Sequence, residues 1–224
     1  MNPELTIKTL KKAAKKFCDI ESTYQNKDLY GVTDGKAVGT YIEHKFQKYL
    51  KDHYTYEKGS SARGIDLPDT SIQTDIKVTS IKQPQSSCPF KDAKQKIFGL
   101  GYNLLVFVYD KADKASTNAA KLDFVSCSFL EKERTADYTT TFRIRELVKD
   151  GAIKEDIIAY LSDKNIPADD ITLEQIADQI MYNTPKQGYL TISNALQWRL
   201  QYARVVSLAE QVEGITKIVN KVTK

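Results

Sequence analysis

The stretch Arg63-Gly-Ile-Asp-Leu-Pro-Asp-Thr-Ser-Ile-Gln-Thr-Asp-Ile-Lys-Val-Thr79 decides how the rest of the chain is read. Ile65–Leu67 and Ile72–Thr79 have the alternating, β-branched character of strands, and Pro68-Asp69-Thr70-Ser71 between them is turn chemistry. Alternation puts Ile72, Thr74, Ile76 and Val78 on one face of the second strand and Gln73, Asp75, Lys77 and Thr79 on the other. If Thr70 and Ser71 form the tip, Asp69 faces Ile72 and Asp66 lies opposite Asp75. Facing residues on paired strands have Cβ atoms only about 4.5–5.5 Å apart. Two carboxylates at that distance repel each other unless something positive lies between them. Lys77, projecting from the face that carries Asp75, is one candidate. A hard divalent cation such as Mg²⁺ is the better one, because it prefers carboxylate and carbonyl oxygens. The backbone carbonyl of Ile76 is available as a further ligand.

Such a site suits phosphodiester hydrolysis. The cation neutralises charge developing on a phosphate and lowers the pKa of a bound water, and a neighbouring lysine orients that water or stabilises the transition state. The competing reading of the same residues is a salt-bridged surface hairpin.

Upstream, residues 4–18 read as a lysine-rich amphipathic helix with Leu5, Leu10, Ala14 and Phe17 on its apolar side. A second helix is expected from about Lys36 to Lys51, with Val38, Ile42, Phe46 and Tyr49 facing a core. Glu43 lies on the flank of that stripe, one turn past Gly39, where another backbone can approach closely. His53–Glu57 could form a short strand. Downstream, Ile81–Pro89 is irregular, Phe90–Gly99 is a short helix, and Asn103–Tyr109 and Leu122–Phe129 are strands, the first an apolar run of a buried kind. From Tyr138 onward the pattern turns helical, with a capping box at Thr172-Leu-Glu-Gln175 and a long last helix over Asn194–Glu213.

The order of helix, strand-turn-strand with Asp-x8-Asp-x-Lys, helix and buried strand resembles the PD-(D/E)xK nuclease core. In that core a helix precedes a three-stranded meander, then a second helix and a strand. Ile65-Asp66 matches the PD element, with Ile in place of Pro, and Asp75-Ile76-Lys77 matches the (D/E)xK element. The segment from Arg63 through Ser80, and on through Gln83-Pro-Gln-Ser-Ser-Cys-Pro89 to the Val106–Tyr109 strand, looks like the active-site region of type II restriction endonucleases. The likeness covers roughly residues 36–110.

The resemblance implies an α/β protein with a PD-(D/E)xK core, an N-terminal helix and a helical C-terminal part. The corresponding division is 1–35, a nuclease core over 36–135, and a C-terminal region over 136–224 for DNA recognition or dimerisation. It implies a Mg²⁺-dependent, sequence-specific endonuclease on double-stranded DNA, with Mn²⁺ as a possible substitute, working as a homodimer. Asp66, Asp75, Ile76 and Glu43 would hold metal, and Lys77 would act on the water. A structure-specific repair or recombination nuclease, and a non-cleaving DNA-binding protein on the same fold, are the alternatives.

DNA contacts are expected from Arg63, from Lys82, Gln83, Gln85, Ser86 and Ser87 after the active-site strand, and from Lys91 and Lys94. In the expected last helix Gln197, Gln201 and Arg204 form one polar stripe able to read base edges. A solvated loop and a packed helix with one wet side would show the same composition. Trp198 is expected in the core.

Composition narrows the remaining options. Only two histidines occur, which removes most Ser-His and Cys-His schemes, and three scattered cysteines without CxxC spacing speak against a zinc site or disulfide framework. No apolar run of membrane-spanning length and no apolar signal segment occurs, so a cytoplasmic protein without organic cofactor or membrane partner is expected. The net charge of +4 decides little, but the lysine clusters at 8–16 and 82–96 fit phosphate contact or simply solvated faces.

Overall fold

The computed structural model describes residues 2–57, 59, 64–89, 91–193 and 197–222. In chain order the elements are α1 (Ile7–Glu21), β1 (Gln25–Asn26), α2 (Gly35–His53), β2 (Thr74–Ser80), β3 (Gln85–Pro89), α3 (Gln95–Phe98), β4 (Asn103–Lys114) and β5 (Ala119–Leu130). They continue with α4 (Tyr138–Lys149), α5 (Lys154–Asp163), α6 (Asp170–Tyr182), β6 (Thr191–Ile192), β7 (Gln197–Gln201), α7 (Ala203–Val206) and β8 (Ile215–Asn220). The chain divides into two compact units built from interleaved segments rather than consecutive ones. The first holds residues 1–86, 103–130 and 206–224, and the second holds 87–102 and 131–205. The chain passes from one to the other inside β3.

The first unit is a mixed sheet in the order β1-β5-β4-β2, with β8 also paired to β5. β4 and β5 are antiparallel, whereas β2 runs parallel to β4 in the register Asp75↔Leu104, Ile76↔Leu105 and Lys77↔Val106. The apolar run of β4 is buried on both faces, as an unbroken hydrophobic strand requires. One of those faces, with Leu105, Phe107 and Tyr109, packs with α1 and α2 through Phe17, Ile42, Phe46 and Leu50. The Phe17, Phe46 and Phe107 rings meet with centroids 4.9–5.9 Å apart in tilted and edge-on contacts.

Two caps set the helices that matter here. Thr6 and Thr9 form a reciprocal capping box on α1, and the Asp34 carboxylate accepts the Lys36 amide at the start of α2. The close approach expected at Gly39 is present: a Cβ there would lie 3.1 Å from the Val78 carbonyl oxygen, so α2 sits directly against β2. Gly39→Val should therefore cost about 1–3 kcal/mol by overpacking. Urea denaturation checks this, and an unchanged midpoint would mean that β2 yields freely.

The second unit carries helices α3 to α6 around Ile97, Ile144, Ile157, Leu161, Leu173, Ile176 and Ile180. A three-stranded sheet of order β3-β7-β6 completes it. Asp137, almost fully buried, caps α4 by accepting from the Thr140 amide and hydroxyl, and its other oxygen accepts the Ile192 amide at 2.8 Å. A buried carboxylate with three donors is a satisfied structural group.

Several expected elements differ. The three-stranded meander reduces to one strand, β2; the His53–Glu57 segment contributes only an isolated bridge from Thr55 to Glu4, and Ile65–Leu67 only one from Leu67 to Thr74. Ile81–Pro89, expected as irregular, contains β3. Helix α3 occupies only four residues of the expected Phe90–Gly99. The long last helix over 194–213 is replaced by β7, the single turn α7 and, further on, β8, so the C-terminal part is not wholly helical. Among the described residues no helix is long and apolar enough to cross a membrane.

Candidate active site at the open edge of the first sheet

β2 is the outermost strand of its sheet, and among the described residues no strand pairs with its free side beyond Thr74. The Leu67–Thr74 bridge, with amide–carbonyl distances of 3.0 Å in both directions, sets the register. One step further along an antiparallel pair places Asp66 across from Asp75, as the turn geometry implied. Asp66 does not continue the ladder with its backbone. Instead its carboxylate turns to the strand edge, where Oδ2 accepts the Ile76 amide at 2.8 Å. In an extended residue the amide and carbonyl point to the same side of the strand, so the Ile76 carbonyl also faces this edge.

Around that point lies a cleft of about 420 Å³ lined by Glu43, His44, Gln47, Gly59, Gly64, Ile65, Asp66, Asp75, Ile76 and Lys77. The Lys77 ammonium lies 2.7 Å from Asp75 Oδ2. The Gln47 amide donates to Glu43 Oε1 at 3.3 Å and to Asp66 Oδ1 at 3.1 Å. Gly59 donates its amide to the Asp66 carbonyl at 2.9 Å, and a Cβ at Gly59 would collide with the Ile65 carbonyl oxygen. Only glycine fits there, because the obstacle is backbone.

The electrostatics follow from the crowding. Burial, the hydrogen bond with Asp75 and the Asp75 charge push the Asp66 carboxyl up to about 7, against a smaller opposing effect of the Ile76 amide. Asp66 therefore holds its proton up to near neutral pH. Glu43 is also raised, first by burial and then by Asp75, while Lys77 and His44 pull it down. Among the described residues no three carboxylate, imidazole or thiol groups converge into a ready-made cation cage. The donor set is smaller: two facing aspartates, one carbonyl, and Glu43 close enough to feel their charge.

The expected site residues thus separate. Glu43, Asp66, Asp75, Ile76 and Lys77 line one cleft. Lys82 and Gln83 are exposed in the turn after β2, and Gln85, Ser86 and Ser87 lie in β3, the first two half-buried. In the second unit Lys91 is exposed and Lys94 precedes α3. Arg63 lies outside the described residues. The Gln197/Gln201/Arg204 helical stripe does not exist: Gln197 opens β7, Gln201 closes it, and Arg204 lies on α7. The Arg204 guanidinium stacks 3.7 Å from the centre of the Tyr138 ring, and Trp198 is in the core as expected. His44 lines the cleft although no metal-binding motif includes it. Gln47 and Gly59 were not anticipated. A glutamine carries no chemistry by type, and the one sequence signal for it is its position one helical turn after Glu43.

By fold and cleft chemistry this is a mixed α/β protein with a carboxylate–lysine site at a sheet edge. The family model for the type II restriction enzyme NspV matches residues 4–217. A relative from Nostoc sp. (strain ATCC 29411 / PCC 7524), described as type II restriction enzyme NspV, is 54% identical over 214 residues, which is 96% of each chain. The chain belongs to the NspV family of type II restriction enzymes. No solved structure matches it.

Proposed function

We propose that this chain is a site-specific endonuclease that hydrolyses double-stranded DNA with Mg²⁺ held at the Asp66–Asp75 edge. The observation that carries the reading is the placement of Asp66 across from Asp75 at the strand edge, with the Lys77 ammonium 2.7 Å from Asp75. Mg²⁺ uses one or two protein carboxylates and completes its shell with water and substrate phosphate. A two-aspartate site therefore fits it better than a closed protein cage would. When bound, the cation supplies charge neutralisation at the scissile phosphate and acidifies a water.

The chain's own groups have separable roles. Asp66 and Asp75 offer carboxylate oxygens, Ile76 its carbonyl, and Glu43 a further carboxylate for the water network. The Ile76 amide holds Asp66 in place. Lys77, fixed by Asp75, presents an ammonium donor where charge develops on the phosphate. The succession α2, the Leu67–Thr74 bridge, β2 and β4, with β4 parallel to β2, supports reading the first unit as a PD-(D/E)xK core. Arg63, Lys82, Gln83, Gln85, Ser86 and Ser87 are the proposed DNA contacts nearest β2 in the chain. Lys91, Lys94, Gln197, Gln201 and Arg204 are those of the second unit. A homodimer matches the symmetry of palindromic sites.

Incubation with a large DNA and Mg²⁺ should give discrete fragments whose sequenced ends share one site, and chelation should stop the reaction. A smear or a preference for branched DNA would favour a structure-specific nuclease instead. Binding without any nicking would sink the hydrolytic reading.

A further inference from the structure

We propose that Gln47 is a positioning residue for the cation site, bridging Glu43 and Asp66 through one side-chain amide so that both carboxylates stand ready before the cation arrives. The inference rests on the reading of the cleft as a divalent-cation site. Gln47 lies on α2 exactly one i,i+4 step from Glu43, so the two side chains stack on one helix face. Its Nε2 reaches Glu43 Oε1 at 3.3 Å and Asp66 Oδ1 at 3.1 Å. A carboxamide nitrogen has two hydrogens, and both are used here. Because ionised carboxylates only accept, the amide must turn its nitrogen toward them, which fixes its orientation.

The consequence for Asp66 is that both of its oxygens are held, Oδ1 from α2 by Gln47 and Oδ2 from β2 by the Ile76 amide at 2.8 Å. Each oxygen of the ionised carboxylate has two lone pairs, so each keeps one for a cation once the Asp66 proton has left. The Gln47 backbone is tied as well, its carbonyl accepting the Tyr56 hydroxyl at 3.2 Å. Neutrality is the useful property of the bridging group. A lysine in its place would link the two acids equally well but would compete with the cation for them. An amide joins them and leaves their charge available. Gln47 thus couples the helix carboxylate to the strand-edge pair.

The test titrates Mn²⁺ alone, without DNA, into the wild-type protein, Gln47→Met and Asp75→Asn in a calorimeter, and then follows DNA cleavage against Mg²⁺ concentration. Methionine keeps the length of the side chain but cannot donate; Gln47→Ala replaces it if circular dichroism shows the Met variant misfolded. Outer-sphere partners of this kind are worth about 10–100-fold in cation affinity. We expect the Mn²⁺ Kd, and the half-saturating Mg²⁺ for cleavage, to rise by that factor, with kcat at saturating Mg²⁺ close to wild type. A wild-type Kd in the variant overturns the positioning role, whether or not kcat falls. If Asp75→Asn gives the same isotherm as wild type, the cation reading itself fails and the role of Gln47 goes with it. Loss in Asp75→Asn with no change in Gln47→Met removes the inference alone.

Discussion

Replacing Lys77 with alanine should lower DNA cleavage by about 10²–10³-fold, the cost of removing one preorganised donor from developing transition-state charge. DNA binding measured by fluorescence anisotropy in the absence of Mg²⁺ should stay near the wild-type level. The asymmetry has a structural basis. The Lys77 ammonium is committed at 2.7 Å to Asp75, which is itself 5 % exposed, so it is held inside the cleft and not free to track the backbone of bound DNA. Strand alternation fixes it further, since a residue two positions after Asp75 on β2 can only project from the face that carries Asp75. Lys77→Arg should not restore the rate. A planar guanidinium fork is larger and would bind Asp75 in a different geometry from a compact ammonium. Wild-type cleavage in Lys77→Ala would remove this residue from the chemistry. A loss of DNA binding equal to the loss of rate would make it a substrate contact instead.

What could be read before the structure was known depended on how local each feature is. α2 and the apolar face of β2 follow from period and burial, and Gly39 from the need for close approach; all of these are properties of adjacent residues. The Asp66–Asp75 juxtaposition was legible because a short turn fixes antiparallel register, and the Leu67–Thr74 bridge has that register. The surrounding meander was not, because its other segments bridge too little to form ladders.

The C-terminal helix failed for a related reason. Trp198, Leu200 and Tyr202 alternate as a strand does, but Trp198, Tyr202, Val205 and Val206 also satisfy helical spacing. Short apolar runs cannot be resolved by period alone. The choice is made by partners distant in sequence: β7 lies beside β3 from the first half of the chain, and β8 pairs with β5 across almost a hundred residues. Gln47 and Gly59 were invisible for the opposite reason. Their roles lie in what they touch, and an amide or a missing Cβ gives no chemical signature until the neighbouring backbone is in place.

The second large effect concerns pH. Asp66 has its carboxyl raised from an ordinary 3.8 to about 7 by burial and by Asp75. A carboxyl raised in the folded state contributes stability that is fully present below its unfolded pKa and is lost as pH rises through the folded one. Without divalent cation the protein should therefore lose stability between about pH 4 and pH 7, as the Asp66 proton leaves and its charge faces the Asp75 carboxylate. A cation that binds the ionised pair must displace that proton, so its affinity should fall about tenfold for each pH unit below 7. Raising the pH to 8 should lower the Tm of the metal-free protein, and millimolar Mg²⁺ should restore it. At pH 5 the same Mg²⁺ should change little, and cleavage at subsaturating Mg²⁺ should fall steeply on the acid side of neutrality. Asp66→Asn provides the control, because an amide neither titrates nor repels Asp75. That variant should be more stable than wild type at pH 8 without Mg²⁺, insensitive to Mg²⁺, and inactive. If its Tm fell with pH as the wild type's does, the proton would belong to another group. If Mg²⁺ failed to raise the wild-type Tm at pH 8, the aspartate pair would be a structural feature and the cation site would have to lie elsewhere.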